Sequence, residues 1–404
     1  MKKVISIILC SLLICSFTAC TSQNNSEKNN SSVSSSAESS SSDNTASSEN
    51  DDSHNSSEPV SDSSEDSAES SSEETSDAAS DDVSDTELSE TEKKVSELLE
   101  AEDFEGVLYA EKNGRAAVAY IRGNNEKGEP YTAETPMPVG SMSKQFCAAA
   151  VMLLQEQNKL SINDTLDKYY PEYKNSDKVT LKSMLSMRSG IKNFEESLYD
   201  VVSADKSDEE NTEAVMKWLF STPAPEQTDV AFAYSNTNYF LLSNIVESVS
   251  GKKYIDFLRE NFFSPLDMNH TGSIEEMTKG AEWANGVSYK NIDLQPGLTK
   301  GAGDLITTAE DTTTWLNALS TGKVISEESF KAMITNYSPG NNYGFGFFTS
   351  ISDGFGHPGL IGSYCGADYM DTENNITIFF SSSTLKQNAV LTTIDQVANI
   401  VKGE

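Results

Sequence analysis

A serine and a lysine separated by two residues, Ser141 and Lys144, are the pair in this chain best suited to chemistry. Residues three apart in a helix lie one turn apart on one face, so the ammonium can lower the cost of forming a serine alkoxide. A serine at a helix start also has its own N–H free to stabilise an oxyanion. These residue types at this spacing predict acyl transfer through a serine nucleophile.

The four-residue pattern Ser-x-x-Lys is weak by itself, because the chain contains other copies of it. They begin at Ser189, Ser203, Ser250, Ser320 and Ser383. The copy at Ser141 differs in its context, since the stretch 143–158 that follows it is rich in Ala, Met and Leu. This stretch is apolar nearly all round in its first half, which predicts a buried helix.

A tyrosine and an asparagine, Tyr234 and Asn236, form a second candidate motif just ahead of another apolar helix. A tyrosine has a reference pKa of about 10, and a nearby ammonium favours the phenolate, which makes Tyr234 a usable proton acceptor. The pattern Tyr-x-Asn also occurs at Tyr173 and Tyr289. Sequence alone leaves open whether Lys144 or Tyr234 removes the serine proton.

A third motif begins at His357 and continues through Pro358, Gly359 and Leu360. We expect it to open a glycine-rich strand near the C-terminus, where an edge strand can line a cleft. Proline lacks an N–H, which an edge strand tolerates. His270 begins a rival copy, but it lies inside a helical region with no strand after it, and we interpret it as part of a surface turn.

The elements that must position these motifs follow from the hydrophobic patterns. Asn113 and Gly114 separate two strand-like runs, which predicts a hairpin. Strand patterns return late in the chain, at 344–350, 360–370 and 376–381, ahead of a closing helix at 390–401. Strands at both ends predict an α+β fold, an antiparallel sheet flanked by helices with a helical subdomain inserted at about 165–285.

The three motifs, in this order, resemble those of the serine β-lactamase and penicillin-binding superfamily. The resemblance is to its class C-like branch of β-lactamases, D-Ala carboxypeptidases, D-aminopeptidases and esterases, and it covers about 104–400. The connecting segments 184–191, 263–268 and 301–305 also carry it. It implies a β-lactamase/transpeptidase-like fold and, without a cofactor, an acyl-enzyme at Ser141 that water hydrolyses.

The resemblance also implies roles for the remaining motif residues. Asn236 would donate to a substrate amide or to the motif lysine, and His357 stands where relatives often carry a Lys or His that faces the substrate carboxylate. The N–H of Leu360, after Gly359, would be the second oxyanion donor. Pro358 replaces the usual Thr, and loss of that hydroxyl should weaken recognition of a substrate carboxylate.

The N-terminus has the pattern of an exported lipoprotein. Two lysines precede an apolar run at 4–19 that ends in small residues before Cys20, as in a bacterial lipobox. We predict a signal peptide at 1–20 and a lipid anchor at Cys20 on the outward face of the bacterial membrane; cleavage without lipid is the alternative. Residues 21–90 are rich in Ser and acidic residues, which predicts a disordered linker ahead of a hydrolase domain at 91–404.

The composition limits other classes of function. The formal net charge is −34, about half of it from the acidic linker, and no basic patch favours nucleic-acid binding. There are three histidines without metal-ligand spacing, so no metal site is predicted. Cys147 and Cys365 could pair after export, but two buried thiols are the favoured interpretation.

The leading hypothesis is a surface-anchored serine hydrolase. Its substrate would be a β-lactam, a D-amino-acid peptide derived from peptidoglycan, or a small ester. The rival hypothesis, from another class, is a penicillin-recognising cell-wall binding module that does not turn its ligand over. The sequence indicates no oligomeric state.

Overall fold

A computed structural model describes most of the chain from residue 89 onward. The described residues are 89–125, 128–194, 201–202, 206–274, 276, 299–362 and 364–403. The predicted signal peptide at 1–20, Cys20 and nearly all of the predicted linker at 21–90 lie outside them. Among the described residues, no helix has the length and apolar character that crossing a membrane requires.

Two antiparallel sheets organise the described part of the chain. Their strands are β1 Gly106–Lys112, β2 Arg115–Arg122, β3 Met137–Pro138, β4 Gly272–Ser273, β5 Leu305–Thr307, β6 Phe348–Ile351, β7 Gly354–Ile361, β8 Tyr364–Asp371 and β9 Ile376–Ser382. The larger sheet has the order β2-β1-β9-β8-β7-β6, and the smaller one has the order β3-β5-β4. The larger sheet therefore joins strands from both ends of the domain, which confirms the predicted α+β architecture.

The hairpin at the start of the larger sheet forms at the predicted turn. β1 pairs with β2, and Lys112 lies opposite Arg115 where the two strands meet the turn. Asn113 and Gly114 occupy the turn with φ of 56° and 69°, the left-handed values that a type I′ turn needs. β1 also pairs with β9, so the hairpin extends the sheet that the C-terminal strands build.

The single strand predicted at 360–370 is wrong, because the chain forms two strands there. β7 ends at Ile361, and Gly362, with φ of 57°, turns the chain into β8. The third motif consequently lies within β7 rather than opening it. β6 pairs with β7 only up to Gly356, so from His357 onward β8 is the only described strand that flanks β7.

Helices fill the middle of the chain and pack on the sheets. They are α1 Glu90–Ala101, α2 Ser143–Glu156, α3 Leu181–Leu185, α4 Asp208–Phe220, α5 Asn236–Ser250, α6 Tyr254–Leu258, α7 Ala309–Ser320, α8 Glu327–Met333 and α9 Val390–Lys402. The predicted buried helix after Ser141, the apolar helix after Tyr234 and the closing helix correspond to α2, α5 and α9, whereas α7 and α8 were not predicted. The helical insertion stays a prediction as a unit, because residues 277–298, at its end, lie outside the described part.

Helix α2, which follows Ser141, is buried as its apolar sequence predicts. Every residue from Ser143 to Met152 is buried. Phe146 stacks on Trp315 of α7 with ring centroids 4.0 Å apart, an arrangement that contributes about 0.5–1.5 kcal/mol beyond the area it buries. The helix that carries the candidate lysine is therefore fixed on all sides by close packing.

Strand β7 and the segment before α2 approach each other at backbone contact distance. A Cβ placed on Gly359 would lie 2.0 Å from the carbonyl oxygen of Val139, and one on Gly140 would lie 2.7 Å from the carbonyl oxygen of Leu360. Real side chains do not tolerate such distances, so both positions require glycine. The third motif is thereby pressed against the residues that precede Ser141.

Replacing Gly359 with alanine tests this close approach. We expect Gly359→Ala to lower the free energy of unfolding by about 1–3 kcal/mol, because the backbone must shift to admit the methyl group. Urea titration followed by circular dichroism measures the change. Gly303→Ala is the matched control, since a Cβ there meets its nearest neighbour, Gly140, at 3.4 Å. Equal losses in the two variants, or no loss in Gly359→Ala, would contradict this packing.

Candidate active site

Ser141 lies in a short 3-10 turn, Gly140–Met142, that leads directly into α2. Gly140 permits the turn because it adopts a φ of 51°, which other residues adopt only with strain. Ser141 itself is half-buried, whereas its neighbours on both sides are buried. The N–H groups in a first helical turn have no acceptor within their own helix, so the N–H of Ser141 can stabilise a developing negative charge.

Lys144 is fully buried, and its Nζ lies 3.0 Å from the Oγ of Ser141. A second contact, of 2.5 Å, joins Nζ to the carbonyl oxygen of Ala302. Burial lowers the pKa of Lys144 to about 7, and the ionised form of Asp304, whose own pKa burial raises to about 7, partly opposes this shift. A large share of the lysine is therefore a neutral amine near neutral pH, with a lone pair that can accept a proton.

The loop that contains Ala302 is a part of the site that sequence reasoning missed. Residues 301–305 carried the family resemblance, but no chemical role was assigned to them. The backbone N–H of Gly301 donates to Oδ1 of Asp304 at 3.0 Å, and the N–H of Ala302 donates to the carbonyl of Thr299 at 2.8 Å. These two bonds shape the turn that aims the carbonyl of Ala302 at the lysine.

Tyr234 contacts the same serine, although it lies 93 positions later in the sequence. Its Oη lies 2.9 Å from the Oγ of Ser141, and Nζ of Lys144 lies 4.9 Å from the centre of its ring. Loss of surrounding water raises the pKa of Tyr234 well above its ordinary range. This differs from the expectation that a nearby ammonium favours the phenolate, because desolvation outweighs that attraction when the lysine itself is neutral.

Asn236 is the first residue of α5, and its backbone N–H donates to Oδ1 of Asn193 at 2.7 Å. Its side-chain amide makes no hydrogen bond to Lys144 or to any other described residue. One of the two expected roles, donation to the lysine, is therefore not seen in this state of the site. Asn193, which sequence reasoning did not select, fixes the start of the helix that follows Tyr234.

His357 is fully buried within β7. Its Nδ1 donates to the carbonyl oxygen of Pro358 at 2.6 Å, so Nε2 is the acceptor for the hydroxyl of Tyr343 at 3.2 Å. Burial, and then the charge of Lys144, lower the pKa of His357 to about 3. This differs from the expected contact with a substrate carboxylate, because the imidazole is neutral, enclosed and already hydrogen-bonded at both nitrogens.

Gly359 and Leu360 lie at the seam between β7 and the start of α2. The N–H of His357 points to β8, where it donates to Asp368 at 2.7 Å. Because backbone N–H groups alternate along a strand, the N–H of Leu360 points away from β8, towards the segment that precedes Ser141. The two expected oxyanion donors, the N–H groups of Ser141 and Leu360, therefore belong to backbone segments in direct contact.

The remaining sequence candidates lie away from this arrangement. His270 is exposed, and its backbone N–H donates to Asp311 at 2.9 Å. Cys147 and Cys365 are free and buried, as expected, so they do not form a disulfide. Within the described ranges, no group of three or more His, Cys, Asp or Glu residues could hold a metal ion.

The chain also matches known proteins over most of the described domain. A family model described as Beta-lactamase matches residues 91–400. The Bacillus subtilis protein PbpX, named as a penicillin-binding protein, is 27% identical over 310 residues, which cover 74% of this chain and 75% of the relative. The teichoic acid D-alanine hydrolase of Staphylococcus aureus is 24% identical over 267 residues, 63% of this chain and 65% of that hydrolase.

Solved structures share the fold. The D-amino acid amidase of Ochrobactrum anthropi SV3, in its complex with L-phenylalanine amide, superposes with a TM-score of 0.67 at 20% identity, over 78% of this chain and 99% of the amidase. FmtA of Staphylococcus aureus superposes with a TM-score of 0.65 at 20% identity, over 77% of this chain and 88% of the FmtA chain. The match of the family model over residues 91–400 shows that the chain belongs to the Beta-lactamase family, within the serine β-lactamase and penicillin-binding superfamily.

Proposed function

We propose that this protein is a serine hydrolase that forms an acyl-enzyme at Ser141 and releases the acyl group to water. The observation that carries the proposal is the fully buried Lys144, whose Nζ lies 3.0 Å from the serine Oγ. A neutral amine at this distance is a proton acceptor in direct contact with a nucleophile. On this basis we assign the role of general base to Lys144 rather than to Tyr234.

Acylation begins when the serine hydroxyl gives its proton to Lys144. The Oγ of Ser141 then forms a bond to the substrate carbonyl carbon, and the carbonyl electron pair moves to its oxygen. The N–H groups of Ser141 and Leu360 stabilise this oxyanion, a contribution of about 3–4 kcal/mol for one such donor in other enzymes. Since both donors are backbone groups of packed segments, they need no rearrangement during the reaction.

Tyr234 serves the second half of acylation as a proton donor. When the intermediate collapses, the leaving group takes the proton of the tyrosine hydroxyl, and the ammonium of Lys144 returns its proton to the phenolate. The raised pKa of Tyr234 ensures that the hydroxyl holds its proton at the start. Deacylation repeats these transfers, with water in place of the serine as nucleophile and Ser141 as the leaving group.

The third motif favours substrates that lack a carboxylate beside the reacting carbonyl. His357 is neutral and buried, and Pro358 has no hydroxyl, so neither side chain supplies a cation or a donor to such a group. D-alanyl esters and D-amino acid amides carry no carboxylate at that position. Relatives named as a teichoic acid D-alanine hydrolase and a D-amino acid amidase support this substrate class over β-lactams.

The proposal includes attachment to the outer surface of a bacterial membrane. The lipobox-like sequence that ends at Cys20 and the acidic, Ser-rich segment at 21–90 support a lipid anchor followed by a spacer. A flexible chain of this length has an r.m.s. span of roughly 45 Å. Such a spacer would let the hydrolase domain reach polymers in the cell wall.

Intact-protein mass spectrometry tests the acyl-enzyme. We expect an activated phosphonate to add one equivalent to the wild-type protein and none to Ser141→Ala, because Nζ of Lys144 lies beside the Oγ of Ser141 and can activate it. Ser320→Ala removes the first serine of another Ser-x-x-Lys copy and should leave the adduct unchanged. Absence of any adduct would refute the hydrolase, and a penicillin adduct that never hydrolyses, without turnover of any ester, would favour the binding module.

Turnover of paired substrates tests the substrate class. We expect a D-alanyl ester to be hydrolysed at least about tenfold faster, by kcat/KM, than a peptide that ends in D-Ala-D-Ala or a penicillin. About 1.4 kcal/mol of lost carboxylate recognition suffices for that ratio. The L-alanyl ester is the control for stereochemistry. Faster hydrolysis of the carboxylate-bearing substrates would overturn the assignment.

The pH dependence of kcat/KM tests the role of Lys144. Only the neutral amine accepts the serine proton, so kcat/KM should fall about tenfold per pH unit below the pKa near 7 and level off above it. In Asp304→Asn, kcat/KM should still fall at low pH, but the fall should begin at a lower pH, because the carboxylate of Asp304 raises the pKa of Lys144. If the fall of kcat/KM at low pH disappears in this variant, the titrating group is Asp304 instead of Lys144.

A further inference from the structure

Asp368 is a buried carboxylate at the centre of β8, directly opposite His357 in the strand pairing. Its exposed fraction is 1%, and among the described residues no lysine or arginine forms an ion pair with it. An enclosed carboxylate without a cation is costly unless several donors satisfy it. The hydrogen-bond donors around Asp368 therefore indicate which parts of the structure the buried carboxylate holds together.

The carboxylate joins the two backbone segments of the active site. Nε2 of Gln145 donates to it, with 2.7 Å to each of Oδ1 and Oδ2, and the N–H of His357 donates to Oδ1 at 2.7 Å. Gln145 directly follows Lys144 on α2, whereas His357 begins the motif that ends in Leu360. One side chain thus ties the helix of the nucleophile and base to the strand of the second oxyanion donor.

The polarity of these hydrogen bonds admits only an acceptor at position 368. The indole Nε1 of Trp315 can only donate, and it donates to Oε1 of Gln145 at 3.3 Å. Gln145 must therefore turn its NH₂ group towards Asp368, and the backbone N–H of His357 is likewise a donor. A carboxylate accepts both, whereas an asparagine there would place one NH₂ group against another donor.

We propose that Asp368 is a positioning residue for acyl transfer, which holds the N–H of Leu360 in register with Ser141 and Lys144 through His357 and Gln145. The inference rests on the proposed hydrolase function. Asp368 touches neither substrate nor nucleophile, and its effect is exerted through the separation of β7 and α2. Loss of that register should lower kcat while leaving substrate binding nearly intact, because the oxyanion forms only during the reaction.

The first test is Asp368→Asn, assayed with an activated ester at about pH 8.5, above the pKa of about 7 that burial gives to the Asp368 carboxyl. We expect kcat to fall about 10- to 100-fold, the effect of a displacement of about 1 Å at a catalytic group. KM should change less than about threefold. An unchanged kcat, with or without a rise in KM, would overturn the proposal.

A polarity reversal supplies the decisive variant. In the Asp368→Asn/Gln145→Glu double variant, the new carboxylate at 145 accepts from Trp315 and from the new amide at 368. The oxygen of that amide accepts the N–H of His357, so every donor is satisfied again. We expect kcat of the double variant to be at least about tenfold higher than that of Asp368→Asn. Gln145→Glu alone places its new carboxylate against that of Asp368, and we expect its kcat to be lowered. Failure of a folded double variant to recover activity would contradict the positioning role.

Asp371→Asn is the matched control for stability. Asp371 lies on the same strand with 5% exposure, and it binds Asn374 and Lys402 rather than the active site. We expect this variant to lower the unfolding midpoint without lowering kcat per mole of folded protein. Phosphonate labelling of Ser141 counts active molecules in each sample. If the wild type itself fails to label, the hydrolase proposal fails; if wild type and Asp368→Asn label at equal rates, only the positioning proposal fails.

Discussion

Desolvation of one ammonium group, that of Lys144, is the constraint on which the active site depends. The lysine is enclosed by α2 and by the loop whose Ala302 carbonyl contacts Nζ at 2.5 Å. Burial moves its pKa from 10.5 to about 7, which turns an ordinary cation into a base at neutral pH. The same enclosure keeps Tyr234 protonated, since removal of water disfavours the phenolate. In the proposed mechanism, this one physical cause gives opposite roles, base and acid, to two groups that both contact Ser141.

The second constraint is the contact between two backbones. There is no space for a Cβ where Gly359 meets Val139 or where Gly140 meets Leu360. Strand β7 and the turn that contains Ser141 therefore behave as one packed unit. Electrostatic stabilisation of an oxyanion depends on donors that are already in place. Rigid packing provides this without any side chain, and the buried network around Asp368 adds a second link between the same two segments.

Sequence reasoning reached the family, the sheet built from both chain ends and the three motifs, because each has a local signal. Asn113-Gly114 specifies its turn, and the apolar run after Ser141 specifies a buried helix. The contacts that decide the chemistry have no local signal: Lys144 meets Ala302 across 158 positions, and Gln145 meets Asp368 across 223. His357 shows the converse limit, since its residue type suggested a cation for substrate. Burial lowers the pKa of His357, so its imidazole is neutral, and Nε2 is occupied by the hydroxyl of Tyr343.

The most direct test of this account is the pKa of Lys144 itself. Protein labelled with ¹³C at lysine Cε reports each ammonium through its chemical shift, and Lys144→Met identifies the resonance by its disappearance. We predict that this resonance titrates near pH 7, well below the reference value of about 10.4 for a lysine in a model peptide. A Lys144 resonance that titrates near pH 10 would contradict it, because a lysine that stays charged at neutral pH cannot be the base for Ser141.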